Sequence, residues 1–233
     1  LAEEARQWSE QGAEVIYIKV GRGETLDLAN IKKVREAIGN KRLRLDANEA
    51  WDPLTASRMI SKLTSFDIEF IEQPTKSDSL SVLAQVKASS PIAIAADQLV
   101  FTPEDTYNVC RNQAADIIVL GLHETGGIKR FTKAAAIAEA AGINICLHGL
   151  YETGITTCAS NQAAATLPNL DDGNQYMNHF LTEDIIESPS LVLKDGKLPV
   201  LMGPGLGFEL DWDAVGRAAE RHQKRPSRSS FKQ

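Results

Sequence analysis

Short apolar runs alternate along the chain with longer segments of helical spacing. The runs AEVIYIKV (13–20), RLRLDA (42–47), DIEFIEQP (67–74), PIAIAADQ (91–98), ADIIVLGL (115–122) and INICLHG (143–149) are β-rich and end in polar or glycine-containing turns. They read as strands. Between them, residues 24–38, 54–64, 79–88, 103–112, 127–141 and roughly 153–166 carry helical periodicity, as does the opening LAEEARQWSEQGAE. GNQYM (173–177) is a weaker candidate for a seventh strand. Near-continuous apolar strands separated by helices predict a parallel sheet buried on both faces.

Six or seven such units in uninterrupted series predict an α/β fold of the (β/α)8 TIM-barrel type, with an open doubly wound sheet as the alternative. The chain opens inside a helix on Leu1 rather than on Met. The expectation is therefore a barrel truncated at its N-terminal end, with its first strand absent from this chain. The rhythm breaks after about residue 185. LVLKDGKLPV reads as a hairpin with an Asp-Gly turn, and GPGLGFELD as an irregular glycine-rich segment. Residues 1–185 are thus expected to form the barrel, and 186–233 a cover segment and tail.

Composition narrows the function classes. The hydrophobic share of 43% and charged share of 24% are ordinary for a soluble globular protein. No apolar run is long enough to span a bilayer and no signal-peptide pattern opens the chain, so no membrane association and a cytoplasmic location are expected. A net charge of -6 argues against nucleic acid as a partner, and the basic RHQKRPSRSSFKQ reads as a solvated terminus. Cys110, Cys146 and Cys158 show no CxxC spacing, which disfavours a disulfide framework or zinc site. His179 and His222 carry no evident chemistry, and GPGLGFEL lacks the context of a phosphate loop.

The catalytic face of a parallel barrel lies at the C-terminal ends of its strands. Each apolar run ends there in a polar residue: Lys19, then Asp46 and Asn48, Glu72 and Gln73, Asp97 and Gln98, and later His148. Lys19, set in an otherwise apolar strand, is a solvated end, an ion-pair member or a base. Asp46, Glu72 and Asp97 are spaced by 26 and 25 residues, one unit each. Three carboxylates converging on one rim repel one another unless a cation sits between them, and Mg²⁺ suits an all-oxygen set. The plainer alternative is that each acid caps the following helix.

Together YIKVG, LRLDANEAW, FIEQP, IAADQ and LHETGGI resemble the barrel domain of the enolase superfamily, in its muconate lactonizing enzyme and mandelate racemase branches. The resemblance implies an N-terminal capping domain that this chain does not contain, and a homo-oligomer. It implies that Asp46, Glu72 and Asp97 bind Mg²⁺, that Lys19 takes the proton α to a substrate carboxylate, and that His148 is the histidine of the racemase branch. Tyr17, Asn48 and Gln98 become substrate-binding candidates. The implied partner is a small carboxylic acid, and the implied chemistry is racemisation, epimerisation or cycloisomerisation through an enediolate. Dehydration in the same site is an alternative.

Three positions depart from the pattern. Tyr17 replaces the first lysine of the KxK motif, and Gln98 stands where the lactonizing branch usually has Glu. Gly121 stands where one branch has a lysine and the other an aspartate that pairs with the histidine. His123 could substitute if it faced the interior. A Schiff-base aldolase built on Lys19 and a non-catalytic metal-binding barrel are the readings from other classes.

Overall fold

The computed structural model describes residues 1–187 and 191–224. Each of the six main strand predictions is met, by β1 (Val15–Lys19), β2 (Arg42–Asp46), β3 (Ile68–Glu72), β4 (Ala93–Ala96), β5 (Ile117–Leu120) and β6 (Asn144–Leu147). Helix α1 (Ala2–Glu10) precedes β1. Helices α2 (Glu24–Ile38), α3 (Pro53–Leu63), α4 (Leu80–Ser89) and α5 (Pro103–Arg111) follow β1 to β4 in turn. After β5 come a four-residue helix, α6 (Leu122–Thr125), and α7 (Ile128–Ala140); α8 (Gly154–Ala164) follows β6. The strands form one parallel sheet in chain order.

Alternation sorts the strand side chains into two layers. One face carries Ile16, Ile18, Leu43, Leu45, Ile71, Ile94, Ile118 and Ile145, packed beneath helix residues such as Ile31, Met59, Leu83 and Phe131. The other carries Tyr17, Phe70, Ala93, Ala95, Val119 and Cys146 as a smaller cluster. The alanines leave room there for two rings, Tyr17 and Phe70, which meet edge to face at 5.7 Å.

One irregularity sets the parity of the sheet. Leu43 lies opposite Ile68, but Arg44 lies opposite Phe70, so Glu69 is an extra residue on β3. A one-residue slip exchanges the two faces of a strand. Without this bulge, Ile71 rather than Glu72 would stand beside Asp46. The bulge is anchored by the fully buried Arg44, whose Nε donates to Glu69 Oε2 at 2.6 Å. Arg44 also pairs with Asp171, donates to the carbonyl of Gly173, and lies 4.5 Å from the Phe70 ring centre.

The expected seventh strand at 173–177 is not formed. Residues 169–175 nevertheless run beside β6: Ile145 N donates to Asn169 O, Asp171 N to Ile145 O, and Gln175 N to Leu147 O. The ladder is interrupted because Leu147 N donates to the Asn174 side chain instead of a backbone carbonyl. The segment also reaches the first strand. A Cβ on Gly173 would come within 2.7 Å of Val15, so only glycine permits this approach.

The hairpin expected in 191–200 is present as a bridge between Lys194 and Lys197, with Asp195 and Gly196 both at positive φ, and it abuts Gly12. Leu191, Leu201 and Cys158 of α8 share an apolar cluster. The basic terminus is in part a helix, α9 (Trp212–Lys224), and residues 225–233 of it lie outside the described residues. Among the described residues no helix is long and apolar enough to cross a membrane.

Removing one partner of a buried ion pair strands the other charge, at a cost of about 3–5 kcal/mol. Arg44→Ala should therefore lower unfolding stability by about that amount, read from urea midpoints. An unchanged midpoint would show that the bulge does not need its anchor.

Candidate active site at the strand ends

The interior face continues past the apolar cluster into polar residues. Lys19 is opposite Asp46, and Asp46 is opposite Glu72 in the strand register. Asp97 follows the interior residue Ala95 by two, and Gly121 and His148 continue the same face beyond β5 and β6 by alternation. Asp46, Glu72, Asp97 and His148 are all buried, whereas the Lys19 side chain is 63% exposed. Lys19 forms an ion pair with Asp46.

Backbone and amide groups hold these carboxylates. Asn48, in a left-handed conformation at φ 46°, donates its backbone N–H to Asp46 Oδ1 at 2.7 Å. Gln73, fully buried and also left-handed, accepts from Asp97 N through Oε1 and donates to Thr75 O through Nε2. Gln175 donates to Glu72 Oε2 at 3.3 Å. Gln98 lies one residue beyond Asp97, and its Oε1 is buried without a partner. Tyr17 is one layer below Lys19, and its hydroxyl is likewise buried and unpartnered.

His148 has a carboxylate partner that the sequence did not reveal. Its Nδ1 lies 2.8 Å from Glu124 Oε2 and 3.4 Å from Asp97 Oδ1. Glu124 comes from α6, the short helix between β5 and the Gly126–Gly127 pair, both at positive φ. The same helix delivers His123 to the site, so strand alternation is not what places it there. The His123 and His148 ring centres are 5.5 Å apart, and His123 Nδ1 is 3.1 Å from Glu152 Oε1. Glu152 was also missed. The available signal was the HET sequence beside a glycine, but a four-residue helix leaves too short a pattern to read.

Two groups could hold a metal ion. His123, Glu124 and His148 have ligand atoms all within 4.8 Å of one another, a mixed nitrogen and oxygen set that suits transition metals. The second, Asp46, Glu72 and Asp97, is spread more widely but is all oxygen, the donor type Mg²⁺ prefers. Glu72 Oε1 and Asp97 Oδ1 are buried without hydrogen-bond partners, as are both ring nitrogens of His123, whereas Glu124 and His148 are bonded to each other. The second group thus holds two unbonded carboxylate oxygens, and its all-oxygen chemistry fits a hard cation. Neither the surface recess lined by Lys87, Pro91 and Asp116 nor the one lined by Val192, Lys194 and Pro199 includes these residues.

The ionisation of the site follows from this crowding. Burial, then the charges of Asp97 and Glu124, holds the Glu72 carboxyl well above the usual range. Burial also lifts Asp97 to about 6, with His148 opposing and Glu124 and Asp46 adding to the rise. At His148 burial disfavours the imidazolium, but the hydrogen bond to Glu124 and the charges of Asp97 and Glu124 outweigh it, leaving the pKa raised.

The family described as Enolase C-terminal domain-like matches residues 1–214. The chain belongs to that family. It is a member of the enolase superfamily, in the mandelate racemase and muconate lactonizing branch. It is 37% identical over 194 residues to muconate cycloisomerase 1 of Rhodococcus opacus, covering 82% of this chain and 51% of that protein. It is 34% identical over 217 residues to the L-Ala-D/L-Glu epimerase of Bacillus subtilis, covering 89% and 58%. The muconate cycloisomerase structure from Pseudomonas fluorescens superposes with a TM-score of 0.87 at 34% identity, over 93% of this chain and 61% of that one. The chain thus spans about half the length of the curated relatives it matches.

Stability should report the charge crowding. Raised carboxyl and imidazole pKa values mean that the folded, metal-free protein holds protons the unfolded chain releases, so stability falls as pH rises. In EDTA the thermal midpoint should drop from roughly pH 4 upward, through the titration of Asp97 at about 6. Mg²⁺ should reverse the trend, raising the midpoint more at pH 8 than at pH 5 and adding about 2.7 kcal/mol of stability at a hundredfold excess over Kd. Glu72→Gln should stabilise the metal-free protein at pH 8 and abolish the Mg²⁺ response. Parallel pH curves with and without metal would contradict this account.

Proposed function

We propose that this chain is the catalytic part of a Mg²⁺-dependent isomerase that abstracts the proton α to a substrate carboxylate, giving racemisation, epimerisation or cycloisomerisation. One observation carries the reading. Lys19 at the end of β1 and His148 after β6 come from opposite edges of the sheet, with Asp46, Glu72 and Asp97 on the strands between them. On this reading residues 1–185 make the staves of a (β/α)8-type barrel, with 169–175 running beside β6 as a further, irregular stave. Residues 186–233 cover it.

Asp46, Glu72 and Asp97 are the proposed metal ligands. When bound, Mg²⁺ supplies positive charge where negative charge develops on the substrate carboxylate. The support is the orphaned oxygens of Glu72 and Asp97, together with a dipeptide epimerase from Cytophaga hutchinsonii, 26% identical, whose structure contains Mg and the dipeptide D-Ala-L-Val. Lys19 Nζ takes the α-proton. With Asp46 engaged as a ligand, its ion pair with Lys19 would weaken and the Lys19 amine would be available to the substrate. His148 exchanges a proton on the other side of the substrate. Asn48 and Gln98 border the ligands, and the Tyr17 hydroxyl offers a hydrogen bond below Lys19.

Opposed proton carriers favour epimerisation or racemisation, while the muconate cycloisomerase relatives support cycloisomerisation. The raised His148 pKa favours its acid form, which also suits dehydration of a hydroxy acid.

The test is α-deuterium incorporation in D₂O by full-length protein with Mg²⁺, over a panel including cis,cis-muconate and L-Ala-L-Glu. Incorporation should require Mg²⁺ and fall about 10²–10⁴-fold in Lys19→Met. The same substitution should tighten Mg²⁺ binding in calorimetry, because Asp46 loses its competing ammonium. Exchange that survives EDTA, or borohydride trapping of substrate on Lys19, would sink the proposal.

A further inference from the structure

Gly121 is the interior residue that follows Val119 on β5. A Cβ built there would lie 2.6 Å from Glu124 Oε2 and 2.8 Å from His123 Cε1. The φ of Gly121 is -100°, within the range any residue adopts, so the glycine is not required by its backbone. It is required by the side chains folded back over it. Thr125 Oγ1 donates to Gly121 O at 2.9 Å, and Thr125 N donates to the same carbonyl, which turns α6 directly above the glycine.

We infer that Glu124 is the positioning residue of His148, and that Gly121 exists to admit it. The inference rests on the proposed role of His148. Two carboxylates approach Nδ1, Glu124 at 2.8 Å and Asp97 at 3.4 Å, and the nearer, hydrogen-bonded Glu124 fixes the ring plane and keeps the proton on that nitrogen, because an ionised carboxylate can only accept. Nε2, which has no hydrogen-bond partner among the described residues, is then the atom that meets substrate. In one direction the imidazolium releases its Nε2 proton to the substrate carbon and remains neutral with Nδ1–H on Glu124. In the other, neutral Nε2 takes the proton back. Glu124 touches neither substrate nor metal in this scheme and is not itself a catalytic residue.

Sterics and charge make the two positions exclusive. A side chain at 121 displaces Glu124, whereas a carboxylate at 121 could serve in its place once Glu124 is trimmed. Three variants separate this from a purely structural role: Glu124→Gln, Gly121→Asp, and the double variant Gly121→Asp/Glu124→Ala. In full-length, Mg²⁺-loaded protein labelled with ¹⁵N-histidine, this chain contributes four histidines, and His148→Gln identifies the signal of interest. Spectra recorded at pH 9 report the neutral tautomer.

Wild type should show His148 protonated on Nδ1. Glu124→Gln should mix the tautomers while leaving the fold and Mg²⁺ binding intact. Gly121→Asp alone should lower the thermal midpoint, and the double variant should recover both the midpoint and the Nδ1–H tautomer. An unchanged tautomer in Glu124→Gln, or a folded double variant without recovery, overturns the inference. So does Co²⁺ giving a nitrogen-ligated visible spectrum that is lost in His123→Ala, since the cluster would then be a metal site. Failure of the proposed function alone would appear as absent deuterium exchange with these tautomers unaltered.

Discussion

A single extra residue on β3, held by the buried guanidinium of Arg44, decides which side chains meet at the strand ends. Parallel strands read their side chains in strict alternation, so the identity of every interior position above the bulge depends on it. Leu43 and Ile68 both face the helices, and two residues later the slip has brought Phe70 inward beside Arg44. Asp46 and Glu72 then stand side by side. Glu69, the residue displaced, supplies the anionic partner of Arg44. The stabilising ion pair near the base of the sheet and the carboxylate pair at its mouth are consequences of one insertion.

The mouth is built against its own electrostatics. Glu72 and Asp97 are gathered with Asp46 and Glu124, and burial disfavours the charged forms of the first two. Each local device relieves part of the burden. Lys19 takes Asp46, His148 lies between Asp97 and Glu124, and the Gln175 amide donates to Glu72. What remains is concentrated on Glu72 Oε1 and Asp97 Oδ1, neither of which has a hydrogen bond, Asp97 Oδ1 having only the 3.4 Å approach of His148 Nδ1. Such residual strain is common at functional sites, where the missing stabilisation is provided by what binds.

Much of the fold was legible in the sequence because its signals are local. The β-branched runs and helical spacings reach the strand and helix assignments without tertiary information, and the repeat of about 25 residues carries the acids into line. The bulge was not legible, since DIEFIEQP reads the same with or without Glu69 in the ladder. Residues 169–175 escaped because their pairing runs partly through the Asn174 side chain. Glu124 and Gln175 were missed for a related reason. Their roles depend on where irregular segments fold back, and no periodicity encodes that. α9 was read as a tail because its apolar stripe is thin, with Ala214 its sole fully buried residue among those described.

The replaced positions gain sense when taken together. Read one at a time, Gly121 is a lost functional side chain and Tyr17 a lost lysine. In the folded chain the space over Gly121 is occupied by Glu124 and His123, so chemistry absent from the strand returns from the helix that follows it. Tyr17 differs in kind: its hydroxyl has no protein partner, and its ring serves the packing around Phe70. A lysine there would add a second ammonium beneath Lys19, next to the Arg44 guanidinium that already lies over Phe70. A neutral phenol avoids that repulsion and keeps a hydrogen-bonding group facing the interior. On the proposed reading the site carries a cationic proton carrier at Lys19 and a second, imidazole carrier on the β5–β6 side, a division that the spacing of the acids alone does not distinguish.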